Sequence, residues 1–380
     1  MSISNGNDDK NYLEHMTFLS IFAYSYGEPG GFNRLFKTSL IQFTDTTIEL
    51  DFDINIRKQL ESPNITNNQL WLMNENYRCM FASAKEDTFY NDMYLESNFQ
   101  NKLGGECYIF RRGLDRYIIF RGSDTPIDTG INLTIETTPL IIGEIVTDKN
   151  VRVHRGFLEQ MCNYNFISQI TKSIGLKTGM RLHIAGHSLG GASALIQGYY
   201  LHHYINKYNR PFEIENDLNS PTIYTDISIT TVGGCVVGPS SWTTAFNGIF
   251  NEENLNPEDN IWNPNSKRCF FRLINETDII PNLHTMIIDT IKIIPAAELI
   301  LSRIDPPETI NLLNLFARFF NNNTLDYQHV GHKTYIIKNN TLIEGNNNQL
   351  LFHTPTICDV INIANNHMID YQKWLSTPLP

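Results

Sequence analysis

The sequence predicts an α/β fold in which a largely parallel central sheet carries helices on both faces. Three observations support this prediction. Segments with strand periodicity alternate with segments of helical periodicity, and a short apolar strand at 180–185 runs directly into a helical segment. Hydrophobic residues make up 41% of the 380 residues, which is enough for a large core. We therefore expect a single domain covering residues 1–380.

Each expected element follows from the spacing of its apolar residues and from the turn residues at its ends. Apolar residues three or four apart indicate a helix, whereas short β-branched and aromatic runs between Gly, Pro and Asp indicate strands. In chain order we expect a helix at 11–26, a helix at 69–85, paired strands at 106–111 and 116–121, a long loop at 123–150, a helix at 156–174, a strand at 180–185, a helix at 189–207, strands at 226–235, 269–275 and 335–338, and a C-terminal helix within 358–375.

The charge and the N-terminal sequence exclude several classes of function. The net charge is −11 and no run of Lys and Arg offsets it, so neither nucleic-acid binding nor strong electrostatic binding to anionic membranes is expected. Acidic residues surround the short apolar run at 16–24, which does not fit a secretory signal. No stretch approaches the ~20 apolar residues of a membrane-spanning helix. These observations predict a soluble, intracellular protein.

The cysteines give no sign of a metal centre or a disulfide framework. They are scattered, and none forms a C-x-x-C pair or a zinc-like cluster. A chain of this length needs no disulfide scaffold, so buried free thiols are expected. We predict neither a metal nor a cofactor. The six cysteines are Cys79, Cys107, Cys162, Cys235, Cys269 and Cys358.

The strongest signal for chemistry is the pentapeptide Gly-His-Ser-Leu-Gly at residues 186–190. It follows an apolar strand and opens a helix, which is the setting of a nucleophilic serine on a sharp turn. We expect glycine at Gly186 and Gly190 because a Cβ there would clash with the neighbouring strand or helix. An alcohol is a poor nucleophile at neutral pH. Ser188 therefore needs an imidazole base, and that imidazole needs a carboxylate on its other nitrogen.

Residues 182–192 resemble the elbow of the class 3 lipases, a family with the α/β-hydrolase fold. Three other segments resemble motifs of that family in the same order, so the resemblance covers roughly residues 100–285 and, more loosely, the tail. The segments are Ile-Phe-Arg-Gly-Ser at 119–123, Val-His-Arg-Gly-Phe at 153–157 and Arg-Leu-Ile-Asn-Glu-Thr-Asp-Ile-Ile-Pro at 272–281.

The resemblance implies a role for each of these motifs. Ser188 would be the nucleophile and Asp278 the acidic member of a Ser-Asp-His triad, in the chain order of this fold. The backbone N–H groups of Leu189 and Ser123 would form the oxyanion hole, and the Ser123 hydroxyl could add a third hydrogen bond. His187, beside the nucleophile, is expected to be part of the packing of the elbow rather than the base.

Several histidines follow the acidic residue, and the resemblance selects among them. His367 stands near the end of the chain in a His-x-x-x-Tyr setting that resembles the family's catalytic histidine, so we predict that it is the base. His284 follows the acid too closely to return comfortably to the serine. His329 is similar to a non-catalytic histidine of the family. The alternatives to His367 are His284, His329, His332 and His353.

The sequence departs from the family in one motif and in its length. The family's Gly-x-Pro-Arg-x-Gly segment is Gly-Gly-Cys-Val-Val-Gly at 233–238, and extra residues fall at 205–226, 247–266 and 284–326. The apolar insertion at 284–326 could cover the active site and open onto lipid, or it could pack on the core. Residues 124–150 are the other candidate lid, because the family's lid follows the oxyanion loop.

The leading functional hypothesis is a serine carboxylic-ester hydrolase. The resemblance implies a lipase that acts on acylglycerols through an acyl-enzyme intermediate, with a lipid or ester substrate and transient contact with a lipid interface. Phospholipase A1-type or acyltransferase activity would use the same elbow. An inactive lipase-like module that binds lipid is the third hypothesis, although a binding module gains nothing from keeping Ser, Asp and His in order.

Overall fold

The fold is seen in a computed structural model that describes fifteen segments of the chain. They are residues 6–25, 36–37, 40–41, 87–90, 93–122, 136–177, 179–208, 225–250, 268–276, 278, 281, 327–331, 333–346, 367 and 371–375.

Strands occur throughout these segments. In chain order they are β1 (Phe36–Lys37), β2 (Leu40–Ile41), β3 (Tyr94–Gln100), β4 (Glu106–Arg112), β5 (Asp115–Phe120), β6 (Thr137–Ile142), β7 (Val146–His154), β8 (Met180–His187), β9 (Thr225–Val232), β10 (Gly238–Pro239), β11 (Arg268–Asn275), β12 (Tyr327–Gln328), β13 (Lys333–Lys338) and β14 (Thr341–Asn346).

The helices lie between the strands, as expected for an α/β chain. They are α1 (Gly6–Phe22), α2 (Arg155–Cys162), α3 (Phe166–Ile174), α4 (Leu189–Tyr208) and α5 (Ser240–Asn247), with short 3₁₀ turns at Ala23–Ser25, Thr88–Tyr90 and Asn163–Asn165. Residues 371–375 are also helical. Within the described segments, none of the helices combines the length and apolarity that a bilayer crossing requires.

Eight strands form the main sheet in the order β14-β13-β11-β9-β8-β5-β4-β3. The five central strands, from β13 to β5, are parallel, and β14, β4 and β3 join the two sides in antiparallel pairs. Strand β8 lies inside the sheet between β5 and β9, so its carboxyl end opens at the middle of the sheet edge. A ligand site at the carboxyl ends of parallel strands is typical of open α/β sheets.

The two faces of the sheet support separate hydrophobic clusters. Strand β5 shows the division, because Ile118 and Phe120 join one cluster and Tyr117 and Ile119 join the other, following the two-residue period of a strand. The first cluster contains residues of α2, α3, α4 and α5, and the second contains α1 and part of the helical segment at 371–375. The predicted fold class is therefore confirmed, including helices on both faces.

The structure corrects the expected loop at 123–150. Its second half forms β6 and part of β7, which pair as an antiparallel hairpin. Leu140, Ile142 and Val146 are buried in the hairpin, and both strands contact α2. The scarcity of helix formers and the abundance of Thr and Ile in this segment fit strands as well as a loop, because these β-branched residues favour strands. A lid role for 124–150 stays a prediction, and residues 124–135 lie outside the described segments.

Two other expected elements have different bounds. The helix expected at 156–174 is divided into α2 and α3, because Tyr164 and Asn165 have left-handed backbone angles, φ 50° and 59°. The strand expected at 226–235 ends at Val232, because Gly233 has φ +54°. Outside the described residues lie the expected helix at 69–85, the expected C-terminal helix before residue 367, and the insertion at 284–326.

Strand β11 carries two buried arginines that differ in their hydrogen bonding to the described residues. Arg268 donates from Nε to His202 Nδ1 at 3.3 Å and from a terminal nitrogen to the Thr225 carbonyl at 2.6 Å. Arg272 is 2% exposed, and none of its three side-chain nitrogens has a hydrogen-bond partner among the described residues. Burial lowers the pKa of Arg272 to about 9, so it remains charged at neutral pH, and a buried charge is costly unless it is paired.

We expect Arg272→Met to raise the free energy of unfolding by about 1–4 kcal/mol, because an apolar side chain of similar volume removes a buried charge that has no hydrogen-bond partner among the described residues. The measurement is the guanidinium midpoint at unchanged slope. Arg268→Met is the matched control on the same strand and should lower the midpoint, since it leaves its acceptors without a donor. A lower midpoint for Arg272→Met would show that its charge is compensated.

Candidate active site

The serine elbow forms where β8 turns into α4. Ser188 lies between the last residue of β8 and the first residue of α4, with φ 56°. A positive φ is costly for a residue with a Cβ, and it marks a position that the surrounding structure enforces. The Ser188 N–H donates to the Val232 carbonyl at 3.0 Å, and the Gly191 N–H donates to the Ser188 carbonyl at 3.0 Å. These bonds hold the turn against the end of β9.

The glycines of the elbow stand at close approaches, as expected. A Cβ on Gly186 would overlap the backbone of Gly190, and a Cβ on Gly190 would overlap the Phe120 carbonyl at the end of β5. The first turn of α4 therefore packs directly on two strands. This close packing brings the Ser188 backbone to the edge of the sheet beside the segment that follows β5.

Asp278 and His367 form a buried hydrogen-bonded pair. His367 Nδ1 lies 2.8 Å from Asp278 Oδ2, although the residues are 89 positions apart in the chain. Asp278 is 2% exposed and His367 is 7% exposed. The ionised carboxylate accepts a hydrogen bond, so the contact places the proton of the neutral imidazole on Nδ1 and leaves Nε2 as the basic nitrogen.

Tyr371 holds the same carboxylate oxygen. Its hydroxyl donates to Asp278 Oδ2 at 2.8 Å and accepts from the Asn275 N–H at 3.0 Å. Tyr371 follows His367 by four positions, which is the spacing that brings two side chains to one face of a helix. The His-x-x-x-Tyr pattern therefore has a physical meaning here, because both of its side chains contact Asp278.

Gly233 forms the floor beneath this group. A Cβ at Gly233 would lie 2.6 Å from Asp278 Oδ2, 2.7 Å from His367 Cε1 and 2.9 Å from the Tyr371 hydroxyl. Its N–H donates to the Leu273 carbonyl at 2.9 Å. Only glycine leaves room for the three side chains at this position. It directly follows β9, the strand whose last residue accepts from Ser188.

The imidazole of His367 lies beside the elbow. Its ring centroid is 4.2 Å from that of His187, the residue before Ser188. The Nε2 atom of His367 is buried and makes no hydrogen bond to the described residues. Catalytic hydrogen bonds are often long or poorly aligned before substrate binds. The structure therefore brings Ser188, Asp278 and His367 to one end of the sheet, with Nε2 not engaged elsewhere in the described part of the chain.

Cys235 is a second potential nucleophile in this region. Burial raises the pKa of its thiol to about 12, with Asp278 adding to the rise and a hydrogen bond with the Ser188 side chain opposing it. A thiol with this pKa is protonated at neutral pH, and only a thiolate is an effective nucleophile. Cys235 is thus a neighbour of the serine rather than its competitor. Among the described cysteines, Cys107 and Cys162 are free thiols as well.

Two backbone N–H groups were expected to face the reacting oxygen. Leu189 begins α4, so its N–H has no acceptor within the helix and lies at the helix's positive end. Ser123 lies outside the described residues. The end of β5 just before it is fixed by a buried ion pair, in which Arg121 lies 2.9 Å from Glu106 and both side chains are 5% exposed.

The Val-His-Arg-Gly-Phe segment serves the fold. His154 caps α2 by accepting from the Phe157 N–H at 3.3 Å, and its ring stacks on Phe157 at 3.9 Å. The His154 N–H donates to the Val237 carbonyl at 2.7 Å, which ties α2 to the segment after β9. The N-cap histidine of α2 is thus hydrogen-bonded to the segment between β9 and β10, which also contains Cys235.

Sequence reasoning missed one residue at this site. Tyr24, just after α1, places its hydroxyl 2.9 Å from His187 Nδ1. A distant tyrosine carries no local motif, so no signal in the sequence could have revealed it. Of the alternatives to His367, His329 is described and half-buried beside β12. His284, His332 and His353 lie outside the described residues.

Comparisons with known proteins agree with this fold. No curated protein matches the sequence. The crystal structure of Lip2 lipase from Yarrowia lipolytica is 15% identical, with a TM-score of 0.51 over 96% of this chain and 93% of that chain. The nonglycosylated form of the same lipase is 15% identical, with a TM-score of 0.51 over 96% and 94%. At this identity the similarity shows a shared fold.

The family comparison covers the segment that carries the elbow and the acid. Residues 117–287 match the family model described as Lipase (class 3), from β5 to just beyond Asp278. The first and last segments of the chain, including Tyr24 and His367, lie outside that match. Over residues 117–287, which are somewhat less than half of the chain, the sequence is therefore similar to the class 3 lipases.

Proposed function

We propose that this protein is a lipase that hydrolyses acylglycerol esters, with Ser188 as nucleophile, His367 as base and Asp278 as the carboxylate that orients it. The observation that carries this assignment is the buried hydrogen bond between His367 Nδ1 and Asp278 Oδ2 beside the elbow. A histidine held in this way presents Nε2 as a proton acceptor. Asp278 is 2% exposed, so its carboxylate is shielded from water that would compete for this hydrogen bond.

The first half-reaction forms an acyl-enzyme. The Ser188 oxygen attacks the ester carbonyl carbon while His367 Nε2 accepts the serine proton. The carbonyl oxygen becomes an oxyanion, which the N–H groups of Leu189 and Ser123 would stabilise. When the tetrahedral intermediate collapses, the C–O bond to the alcohol breaks, and the departing alkoxide takes the proton from Nε2. The acyl group remains on Ser188.

The second half-reaction releases the acid. Water attacks the acyl carbon as His367 Nε2 accepts a proton from it. When the second tetrahedral intermediate collapses, the bond between the acyl carbon and the Ser188 oxygen breaks, and Nε2 returns its proton to that oxygen. Throughout both steps Asp278 stays ionised and stabilises the transient imidazolium. The Tyr371 hydroxyl donates to the same carboxylate oxygen as His367 and keeps it in place.

We expect Ser188→Ala to lower kcat for p-nitrophenyl esters by at least about 10⁴-fold, because the remaining groups cannot form the acyl-enzyme. Esters of several acyl-chain lengths should be compared, because the preference for chain length is independent of the role of Ser188. Ser193→Ala is the control, since Ser193 is buried on α4 five positions along the chain. Equal rates for wild type and Ser188→Ala would remove Ser188 from the mechanism.

Removal of the orienting groups should have graded effects. Asp278→Asn should lower kcat by roughly 10⁴-fold, because an amide favours the wrong imidazole tautomer. Tyr371→Phe should lower kcat by about tenfold, because the carboxylate loses one of its donors but keeps its charge. Single-turnover kinetics would report both effects. Loss of activity in Tyr371→Phe equal to that of Asp278→Asn would show that the tyrosine has a larger role.

A further inference from the structure

Two tyrosine–histidine pairs connect α1 with β8. His183 and His187 lie on the same face of β8, since they are four positions apart in a strand. Tyr12 places its hydroxyl 3.2 Å from His183 Nδ1, and Tyr24 places its hydroxyl 2.9 Å from His187 Nδ1. The same contact thus occurs in the middle of the strand and at its last residue, and only the second pair adjoins the elbow.

The second pair continues into the backbone of the proposed base. His187 Nε2 lies 3.3 Å from the carbonyl oxygen of His367. A carbonyl can only accept, so Nε2 carries the proton and Nδ1 accepts from the tyrosine. Burial, together with the neighbouring His367, lowers the pKa of His187 well below its usual value, which keeps this imidazole neutral. The result is a directed chain from Tyr24 through His187 to His367.

Tyr24 also touches the other side of the site. A Cβ on Gly122 would overlap the Tyr24 hydroxyl and would lie 2.5 Å from the His187 carbonyl. Gly122 directly precedes Ser123, the second proposed oxyanion donor. The tyrosine hydroxyl is therefore packed between the start of the oxyanion loop and the histidine that binds the base.

We propose that Tyr24 and His187 are positioning residues that fix the backbone of His367 and the start of the oxyanion loop relative to Ser188. This inference rests on the proposed function. Neither side chain needs to meet the ester. Their effect is geometric, because the His187 N–H holds the carbonyl of residue 367 and Tyr24 holds the His187 ring. A base displaced by a fraction of an ångström loses rate rather than affinity for substrate.

The proposal makes the N-terminal segment part of the catalytic unit. Helix α1 packs on β8, β9 and β5, and its end delivers Tyr24 to the elbow. The hydroxyls of Thr17 and Ser20 donate to carbonyls one turn earlier at 2.7 Å, so the buried half of the helix is satisfied internally. This segment lies before the family match at 117–287, and the match alone would not include it.

The Tyr12–His183 pair supplies a matched control. His183 precedes Ser188 by five positions, which is about 16 Å along a strand. It also lies 3.6 Å from Asp115, at the start of β5, and is not part of the site. Tyr12→Phe and Tyr24→Phe each delete one hydroxyl that contacts a β8 histidine from the α1 region. A general loss of packing should therefore affect both variants alike.

The test compares Tyr24→Phe, Tyr12→Phe, His187→Gln and the Tyr24→Phe/His187→Gln double variant, with wild type and Ser188→Ala in the same ester assay. We expect Tyr24→Phe to lower kcat on the order of tenfold with KM changed less than about twofold. Tyr12→Phe should keep kcat within about twofold. In the His187→Gln background, Tyr24→Phe should add less than about twofold, because its acceptor is already absent.

The outcomes separate this inference from the proposed function. If wild type is active and Ser188→Ala is not, but Tyr24→Phe and Tyr12→Phe keep equal kcat, the positioning role is wrong and the proposed function stands. Full additivity of Tyr24→Phe and His187→Gln would likewise overturn the directed chain. If Ser188→Ala retains the wild-type rate, the proposed function itself fails. Unfolding midpoints of all variants identify any that do not fold. The kcat ratios among the folded variants then decide whether the positioning role holds.

Discussion

The hydrogen bond between Asp278 and His367 is the contact on which the rest of the site depends. It joins the loop after β11 to the C-terminal segment, and it settles which imidazole nitrogen can accept a proton. The sheet makes this contact possible, because parallel strands β8, β9 and β11 end at the same edge. Each of these strands leads into one residue of the site. Ser188 follows β8, Gly233 follows β9, and Asp278 lies shortly after β11. Burial of the carboxylate strengthens its interactions with His367 and Tyr371, because water cannot compete for the same oxygen.

A second constraint comes from the opposite end of the chain. Helix α1 covers one face of the sheet and continues into Tyr24, which reaches the elbow through His187. The core on this face and the geometry of the base are therefore built from common residues. The packing of the N-terminal helix therefore also affects the placement of the proposed base, although Tyr24 lies far from Ser188 in the sequence. The same sheet also buries the charge of Arg272 on β11, whose side chain makes no hydrogen bond to the described residues.

Features that depend on a local sequence pattern could be predicted, whereas features that depend on contacts between distant residues could not. The elbow was predictable because strand, turn and helix signals converge within a few residues, and Gly190 has the close neighbours that its position required. Selecting Asp278 and His367 needed a resemblance to a known family, since no spacing rule brings together residues 89 positions apart. The hairpin of β6 and β7 was mistaken for a loop because its Thr and Ile residues alternate imperfectly, with a register shift between Pro139 and Leu140. Tyr24 was missed because its contact with His187 spans 163 positions and leaves no local trace.

Labelling with a fluorophosphonate would test whether Ser188 is an activated nucleophile. Such a reagent reacts only with a serine whose proton a base can accept and whose oxyanion the site can stabilise. We expect one adduct, mapped by mass spectrometry to the peptide that contains Ser188, and slow or absent labelling when Asp278 is replaced by asparagine. An adduct on another residue, or no adduct in a folded protein that hydrolyses esters, would contradict this expectation.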